Sequence, residues 1–103
     1  QEAISSFDKA LALSRLNGVQ IKMRRAVRGL GATKKAMGEL SDAIKYMEEV
    51  LDISKAIKDY TGDMDAVGSI ADMYTELGDL EKAGEYYDMY LSKINDASVD
   101  YDD

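Results

Sequence analysis

Residues 83–90 read AGEYYDMY, and this stretch decides the fold because similar stretches occur twice more in the chain. The stretch AIKYMEEV spans residues 43–50 and AISSFDKA spans residues 3–10, so an alanine opens each copy at intervals of forty residues. A glycine lies five residues before the second and third copies, at Gly38 and Gly78. Self-similarity at a fixed period of this size predicts a stack of helical repeats. Such stacks usually bind other proteins and seldom carry out chemistry.

The composition of the 103-residue chain narrows the classes of function. Its apolar fraction of 46% predicts a single folded domain with a core. The absence of Cys and His removes disulfides, the softest metal ligands and the usual proton shuttle near neutral pH. We therefore predict that the chain is not an enzyme and uses no cofactor or metal. Because it begins with Gln1 and the first copy follows at once, we expect a fragment of a longer protein.

Helical periodicity runs along the whole chain, and proline is absent. Asn17–Gly18 is a typical helix stop, so two helices are expected before Gly38. The apolar stripe of the second is Met23, Val27 and Leu30. The predicted helices span about residues 2–17, 19–37, 40–58, 63–77 and 80–95. They form one domain over residues 1–97, followed by an acidic tail over residues 98–103.

Small and large apolar residues recur at matching places in two consecutive units. The first unit contains Val27, Leu30, Gly31, Gly38, Ala43, Met47 and Val50, and the second contains Val67, Ile70, Ala71, Tyr74, Gly78, Ala83, Tyr87 and Tyr90. These residues resemble the tetratricopeptide repeat. The resemblance implies an all-α superhelix of stacked antiparallel helix pairs, here half a repeat plus two full repeats. Small residues are needed where the two helices of a pair cross, so we expect Gly31 against Ala43 and Ala71 against Ala83.

Two segments, residues 26–32 and 68–84, carry a narrower resemblance within this family, to the plant chloroplast regulators of tetrapyrrole (chlorophyll) synthesis. That resemblance implies a negative regulator that binds glutamyl-tRNA reductase, attached to the thylakoid through segments outside this chain. Polarity adaptors with forty-residue units share the generic pattern. A generic scaffold that binds a peptide or helix, and a self-associating structural module that uses its exposed end helices as a homodimer, therefore remain open as alternatives.

The charges do not repeat with the packing residues. The net charge is -7, yet residues 9–38 carry eight basic side chains and no acid, whereas residues 39–103 carry eighteen acids and five lysines. The family resemblance implies that the first helix of each pair lines a concave groove. Helical spacing then predicts two partner-binding stripes, one of Arg25, Arg28, Ala32 and Lys35 and one of Asp65, Gly68, Asp72 and Glu76.

These stripes predict a groove that is basic at one end and acidic at the other, with room for a partner's side chains at Ala32 and Gly68. A solvated face of mixed charge is the plainer interpretation. The negative net charge argues against a nucleic acid. A protein that carries its own acidic and basic patches fits the stripes better.

Other motifs favour structural roles. Residues 28–35 contain glycine and lysine as phosphate loops do, but a phosphate loop needs free N–H groups and these glycines are predicted inside a helix. Asp59, Asp63 and Asp65 lack the spacing of a calcium loop. We assign Tyr87 to packing between units and leave the roles of Tyr86 and Tyr90 undecided.

Overall fold

The computed structural model describes the backbone of residues 2–102 and the side chains of residues 15–95. The described backbone forms helices and turns and contains no strand, which confirms the all-α fold. Consecutive helices pack against each other in chain order. The helices are α1 (Glu2–Ala36), α2 (Leu40–Ile57), α3 (Asp63–Leu77) and α4 (Leu80–Asp102).

Helix α1 is one continuous helix of 35 residues, so the predicted break between residues 17 and 19 is wrong. Gly18 does not adopt the positive φ of a helix-ending glycine. A glycine inside a helix costs only about 1 kcal/mol relative to alanine, and no proline enforces a stop. Helix α4 likewise continues to Asp102, past the predicted end at residue 95 and through most of the predicted acidic tail.

Two glycines with matching geometry end α1 and α3. Gly38 and Gly78 have φ of +81° and +83°, a conformation that glycine adopts without steric cost. The N–H of Gly38 donates to the Lys35 carbonyl at 3.0 Å, and the next N–H donates to the Lys34 carbonyl at 2.9 Å. The same pair of bonds, each 3.0 Å long, closes α3 at Gly78. These closures turn the chain sharply, which sets α1 against α2 and α3 against α4.

Lys58 ends α2 with φ +56°, although it carries a Cβ that this conformation disfavours. We expect Lys58→Gly to raise the free energy of unfolding by about 0.5–1 kcal/mol, because the relief of backbone strain exceeds the entropy that glycine adds to the unfolded chain. Urea denaturation followed by circular dichroism measures this change. Lys55→Gly, inside the last turn of α2, is the matched control and should lower stability by about 1 kcal/mol. If Lys58→Gly is also destabilising, the left-handed turn is not strained.

The core lies where α1, α2 and α3 meet. Three of the four small residues expected at helix crossings are deeply buried, with Ala43 and Ala71 fully covered and Ala83 3% exposed. Gly31 is buried too, and the atoms nearest to a Cβ built there belong to Met47 and Tyr46 of α2. The main core cluster consists of Val27, Ala43, Ile44, Met47, Val50, Ala66, Ile70 and Met73.

The predicted apolar stripe of the second helix is only partly correct. Val27 is buried, but Met23 is 50% exposed and Leu30 is 48% exposed. The face of α1 that packs on α2 is instead formed by Arg24, Val27 and Gly31. These positions follow the three- and four-residue spacing of a helix face. The prediction selected Met23 and Leu30 because they are apolar, although each precedes a buried position by one residue.

Arg24 is the centre of a buried polar network that fastens α1 to the turn between α2 and α3. It is 3% exposed, and its Nη1 donates to Ser54 Oγ at 2.9 Å and to the carbonyl of Asp59. Its Nη2 forms an ion pair with Asp59 Oδ2 at 3.6 Å. Ser54 Oγ then donates to Asp63 Oδ1 at 2.7 Å. Among the described residues, no buried side-chain polar atom lacks a partner.

The Asp59 carboxylate also accepts hydrogen bonds from within its own turn. The Thr61 hydroxyl and N–H donate to Asp59 Oδ1 at 2.7 and 3.1 Å. These bonds, with a smaller contribution from Arg24, hold the pKa of the Asp59 carboxyl below its usual range. Because the folded pKa is the lower one, the carboxylate stabilises the fold above the ordinary aspartate pKa near 4, and this contribution is lost as the pH falls through the folded pKa.

Candidate partner-binding groove

A groove of about 440 Å³ opens over α3, between the end of α1 and one face of α4. We call it the α3 groove. It brings together four of the eight residues that the sequence predicts to bind a partner. Its lining residues are Lys35 from α1, Met64, Asp65, Gly68, Ser69 and Asp72 from α3, and Tyr87 and Tyr90 from α4.

Lys35 spans the groove from α1 to α3. Its Nζ donates to Ser69 Oγ at 3.2 Å, which positions the ammonium group at one wall. The exposed carboxylates of Asp65 and Asp72 lie on α3 within the same groove. The site therefore offers one cation and two anions, which can pair with opposite charges on a protein partner.

Tyr87 forms part of the opposite wall. Its hydroxyl donates to Asp72 Oδ1 at 2.7 Å and lies 3.3 Å from Thr75 Oγ1. The side chain is 38% exposed, so the predicted role of Tyr87 in packing between units is wrong. Tyr86 takes that role, since it packs against the main core cluster. Tyr86 follows Ala83 by three residues and so shares its helix face, which is the signal that the sequence carried.

Gly68 accommodates a neighbouring side chain of the protein itself. A Cβ at this position would lie 3.4 Å from Tyr90 Cε2, an ordinary van der Waals contact, so the Tyr90 ring packs directly over this part of α3. The sequence predicted that Gly68 leaves room for a partner. In the structure, much of that room is filled by Tyr90, whose ring becomes an apolar surface of the groove.

A second cavity of about 320 Å³ adjoins the α3 groove and shares Asp65 and Ser69 with it. It contains Arg28, whose Nη2 donates to the Thr61 carbonyl at 3.1 Å. A Cβ at Gly62 would lie 3.0 Å from that same nitrogen. The guanidinium is thus held against the turn between α2 and α3, and a partner would meet it in a fixed position.

The remaining predicted residues line neither cavity. Arg25, Ala32 and Glu76 are exposed, but they lie outside both linings. The predicted separation of charge along the groove is also wrong, because Arg28 and Lys35 each share a cavity with Asp65. Helical spacing predicts which residues share a stripe on one helix. The position of one stripe relative to the other depends on how α1 and α3 pack.

Tyr74 and Tyr86 form a separate aromatic pair, with ring centroids 5.8 Å apart. The Tyr74 hydroxyl donates to Glu48 Oε1 at 3.3 Å. Burial, followed by the Glu48 carboxylate, raises the pKa of both phenols above the ordinary value. Both side chains pack against the main core cluster, which gives the pair a structural role.

Within the part of the chain that the structure describes, no group of three or more His, Cys, Asp or Glu side chains has an arrangement that would hold a metal ion. None of the described helices combines the length and apolar character needed to cross a membrane.

Comparison with known proteins agrees with the geometry of the stack. The sequence profile of the tetratricopeptide repeat family matches residues 29–57 and 65–91. The chain is 43% identical over 94 residues to Protein FLUORESCENT IN BLUE LIGHT, chloroplastic, of Arabidopsis thaliana, covering 91% of this chain and 30% of that protein. It thus spans about a third of that relative's length. The crystal structure of the TPR domain of Arabidopsis FLU matches with a TM-score of 0.71 and 42% identity, covering 91% of this chain and 79% of that one.

Proposed function

The chain belongs to the tetratricopeptide repeat family, whose fold is one of protein interaction, and we propose that it is a negative regulator of tetrapyrrole synthesis that binds glutamyl-tRNA reductase. Its location would be the chloroplast, with attachment to the thylakoid through segments outside the described chain. The identity of 43% with the chloroplastic relative, over 91% of this chain, is the observation that carries the proposal.

The α3 groove is the surface that we assign to this partner. Lys35 is suited to an acidic side chain of the partner, and Asp65 and Asp72 are suited to basic ones. The Tyr90 ring offers an apolar contact on the α4 side of the groove, and tyrosine is among the residues that most often carry binding energy at interfaces. A helix or extended tail of mixed charge matches this surface better than a uniformly charged one.

Charge reversal of Lys35 tests the groove. We expect Lys35→Glu to weaken binding to purified glutamyl-tRNA reductase by about tenfold or more, since it places a third carboxylate beside Asp65 and Asp72. Isothermal titration calorimetry with the 103-residue chain measures this loss. The matched control is Arg25→Glu, on the same helix but outside both cavities, which should change the affinity by less than about twofold.

Two outcomes would contradict the proposal at different points. Equal losses for Lys35→Glu and Arg25→Glu would show that the groove does not carry the interaction. Absence of binding by the unsubstituted chain would remove glutamyl-tRNA reductase as the partner and favour a scaffold that grips another protein.

Exposed apolar side chains on α4 favour self-association as a second candidate function. Leu80 and Leu91 are 69% and 55% exposed, and their separation of eleven residues places them on one face of α4. If these residues form a homodimer, sedimentation equilibrium will show a dimer that Leu91→Ser dissociates. A monomer at all concentrations would exclude this function for the chain.

A further inference from the structure

A row of large apolar side chains lies along the surface of α1, away from the α3 groove, and ends at Met37, the residue that follows the helix. Leu16, Met23, Leu30 and Met37 recur every seven residues and are 53%, 50%, 48% and 62% exposed. Val19, three residues after Leu16, is 58% exposed. We call these five residues the α1 seam. Solvent-exposed apolar residues that follow one helix face mark an interaction surface more strongly than scattered ones.

The spacing of the α1 seam is that of a coiled-coil face. Residues 16, 23, 30 and 37 occupy the first position of successive heptads, and Val19, Ala26 and Thr33 occupy the fourth. Ala26 and Thr33 are exposed as well. Within α1 the face from Leu16 to Thr33 is about 26 Å long at the rise of an α-helix, or about two and a half heptads.

The seam and the packing face of α1 lie on different sides of the helix. Arg24, Val27 and Gly31 face α2 and are buried, whereas Met23 and Leu30 point to solvent. Because the buried Arg24 network already fixes α1 to the turn before α3, the seam is presented by a helix that is formed before any partner arrives. Such preorganisation lowers the entropic cost of binding.

Charge identifies the kind of partner. Exposed Arg15 and Lys22 lie beside the seam, one heptad apart, and residues 9–38 contain no acid. On the other side, Lys34 is paired with Glu39 at 2.6 Å. Two copies of α1 joined at this face would bring like charges together, which is unfavourable. Acidic side chains flanking a partner's apolar positions would pair with Arg15 and Lys22 instead.

We propose that the α1 seam is a second docking surface, which takes an amphipathic helix with apolar residues at heptad spacing and Asp or Glu beside them. The surface is independent of the α3 groove and of the function proposed for it. A membrane fits less well, because the seam is narrow, carries no exposed aromatic residue, and belongs to a chain with a net charge of -7.

The test uses a labelled synthetic peptide of three heptads, with Leu at the first and fourth positions and Glu at the flanking positions. We expect fluorescence anisotropy to show binding to the 103-residue chain at least about tenfold tighter than for the same peptide with Lys in place of Glu. Met23→Ser with Leu30→Ser should weaken binding at least about tenfold. Leu77→Ser with Met89→Ser, which removes exposed apolar side chains from α3 and α4, should leave it within about twofold.

Lys22→Glu provides a check that does not depend on apolar substitutions, because it should weaken binding of the Glu peptide and strengthen binding of the Lys peptide. The proposal is overturned if neither peptide binds, or if the Met23 and Leu30 substitutions leave binding unchanged. A homodimer in sedimentation equilibrium that these substitutions dissociate would overturn it, because the seam would then bind a second copy of the chain. Binding to phosphatidylserine vesicles that these substitutions abolish, without binding of the peptide, would overturn it in favour of a membrane.

Discussion

Replacing Arg24 with leucine is expected to lower the free energy of unfolding by about 3 kcal/mol. Arg24 is 3% exposed and donates to Ser54 and to the Asp59 carbonyl. Without it, the Asp59 carbonyl and the fully buried Ser54 Oγ each lose the donor that Arg24 supplies. Leucine fills part of the space but satisfies neither group, so the desolvation cost remains.

The neighbouring arginine is a matched control for this effect. Arg25 lies one residue further along α1 and is exposed, so Arg25→Leu should change stability by less than about 0.5 kcal/mol. Arg24→Lys should give an intermediate loss, because one ammonium cannot reproduce the contacts of both guanidinium nitrogens. Urea denaturation of the three variants measures the differences. Equal stabilities for Arg24→Leu and Arg25→Leu would mean that the network contributes nothing.

Replacing Ala43 with leucine should be nearly as damaging, with a loss of about 2–3 kcal/mol. Ala43 is fully buried and belongs to the core cluster that also contains Val27 and Met47. Interiors are closely packed, so three additional carbon atoms force the helices apart or drive neighbours from their preferred rotamers. Thermal unfolding followed by circular dichroism detects the loss as a lower Tm.

Ala32→Leu separates this packing effect from helix propensity. Ala32 is exposed on α1, where leucine is almost as good a helix former as alanine, so stability should change by less than about 0.5 kcal/mol. If Ala43→Leu is tolerated as well as Ala32→Leu, the small residues of the repeat are not required by packing.

The turns and small residues of this fold could be predicted because local geometry requires particular residues at those positions. Gly38 and Gly78 are needed for a left-handed turn, and Ala43, Ala71 and Ala83 are needed where helices cross. These requirements leave few choices of residue, so they repeat along the sequence and are visible in it.

The errors arose where tertiary contacts outweighed local preference. Asn17–Gly18 is a good helix end, but the helix continues at a modest cost. The burial of Arg24 was not predicted, because its charge hides its position on the packing face and its partners lie 30 and 35 residues away. Only part of the groove was predicted. Spacing along one helix gives the stripe on α3, whereas the α4 wall depends on how separate helices pack.

The α4 wall makes the α3 groove dependent on the interface between α3 and α4. Helix α4 comes last in the stack, and its backbone packs closely against α3. Local opening at that interface would carry Tyr87 and Tyr90 away from Lys35 while the α1–α2 pair stays folded. A partner that needs both walls binds the closed form and adds its binding free energy to the α3–α4 interface. Helix α4 is thus stabilised by the partner that it helps to bind. Addition of the partner should slow amide hydrogen exchange in α4 more than in α2.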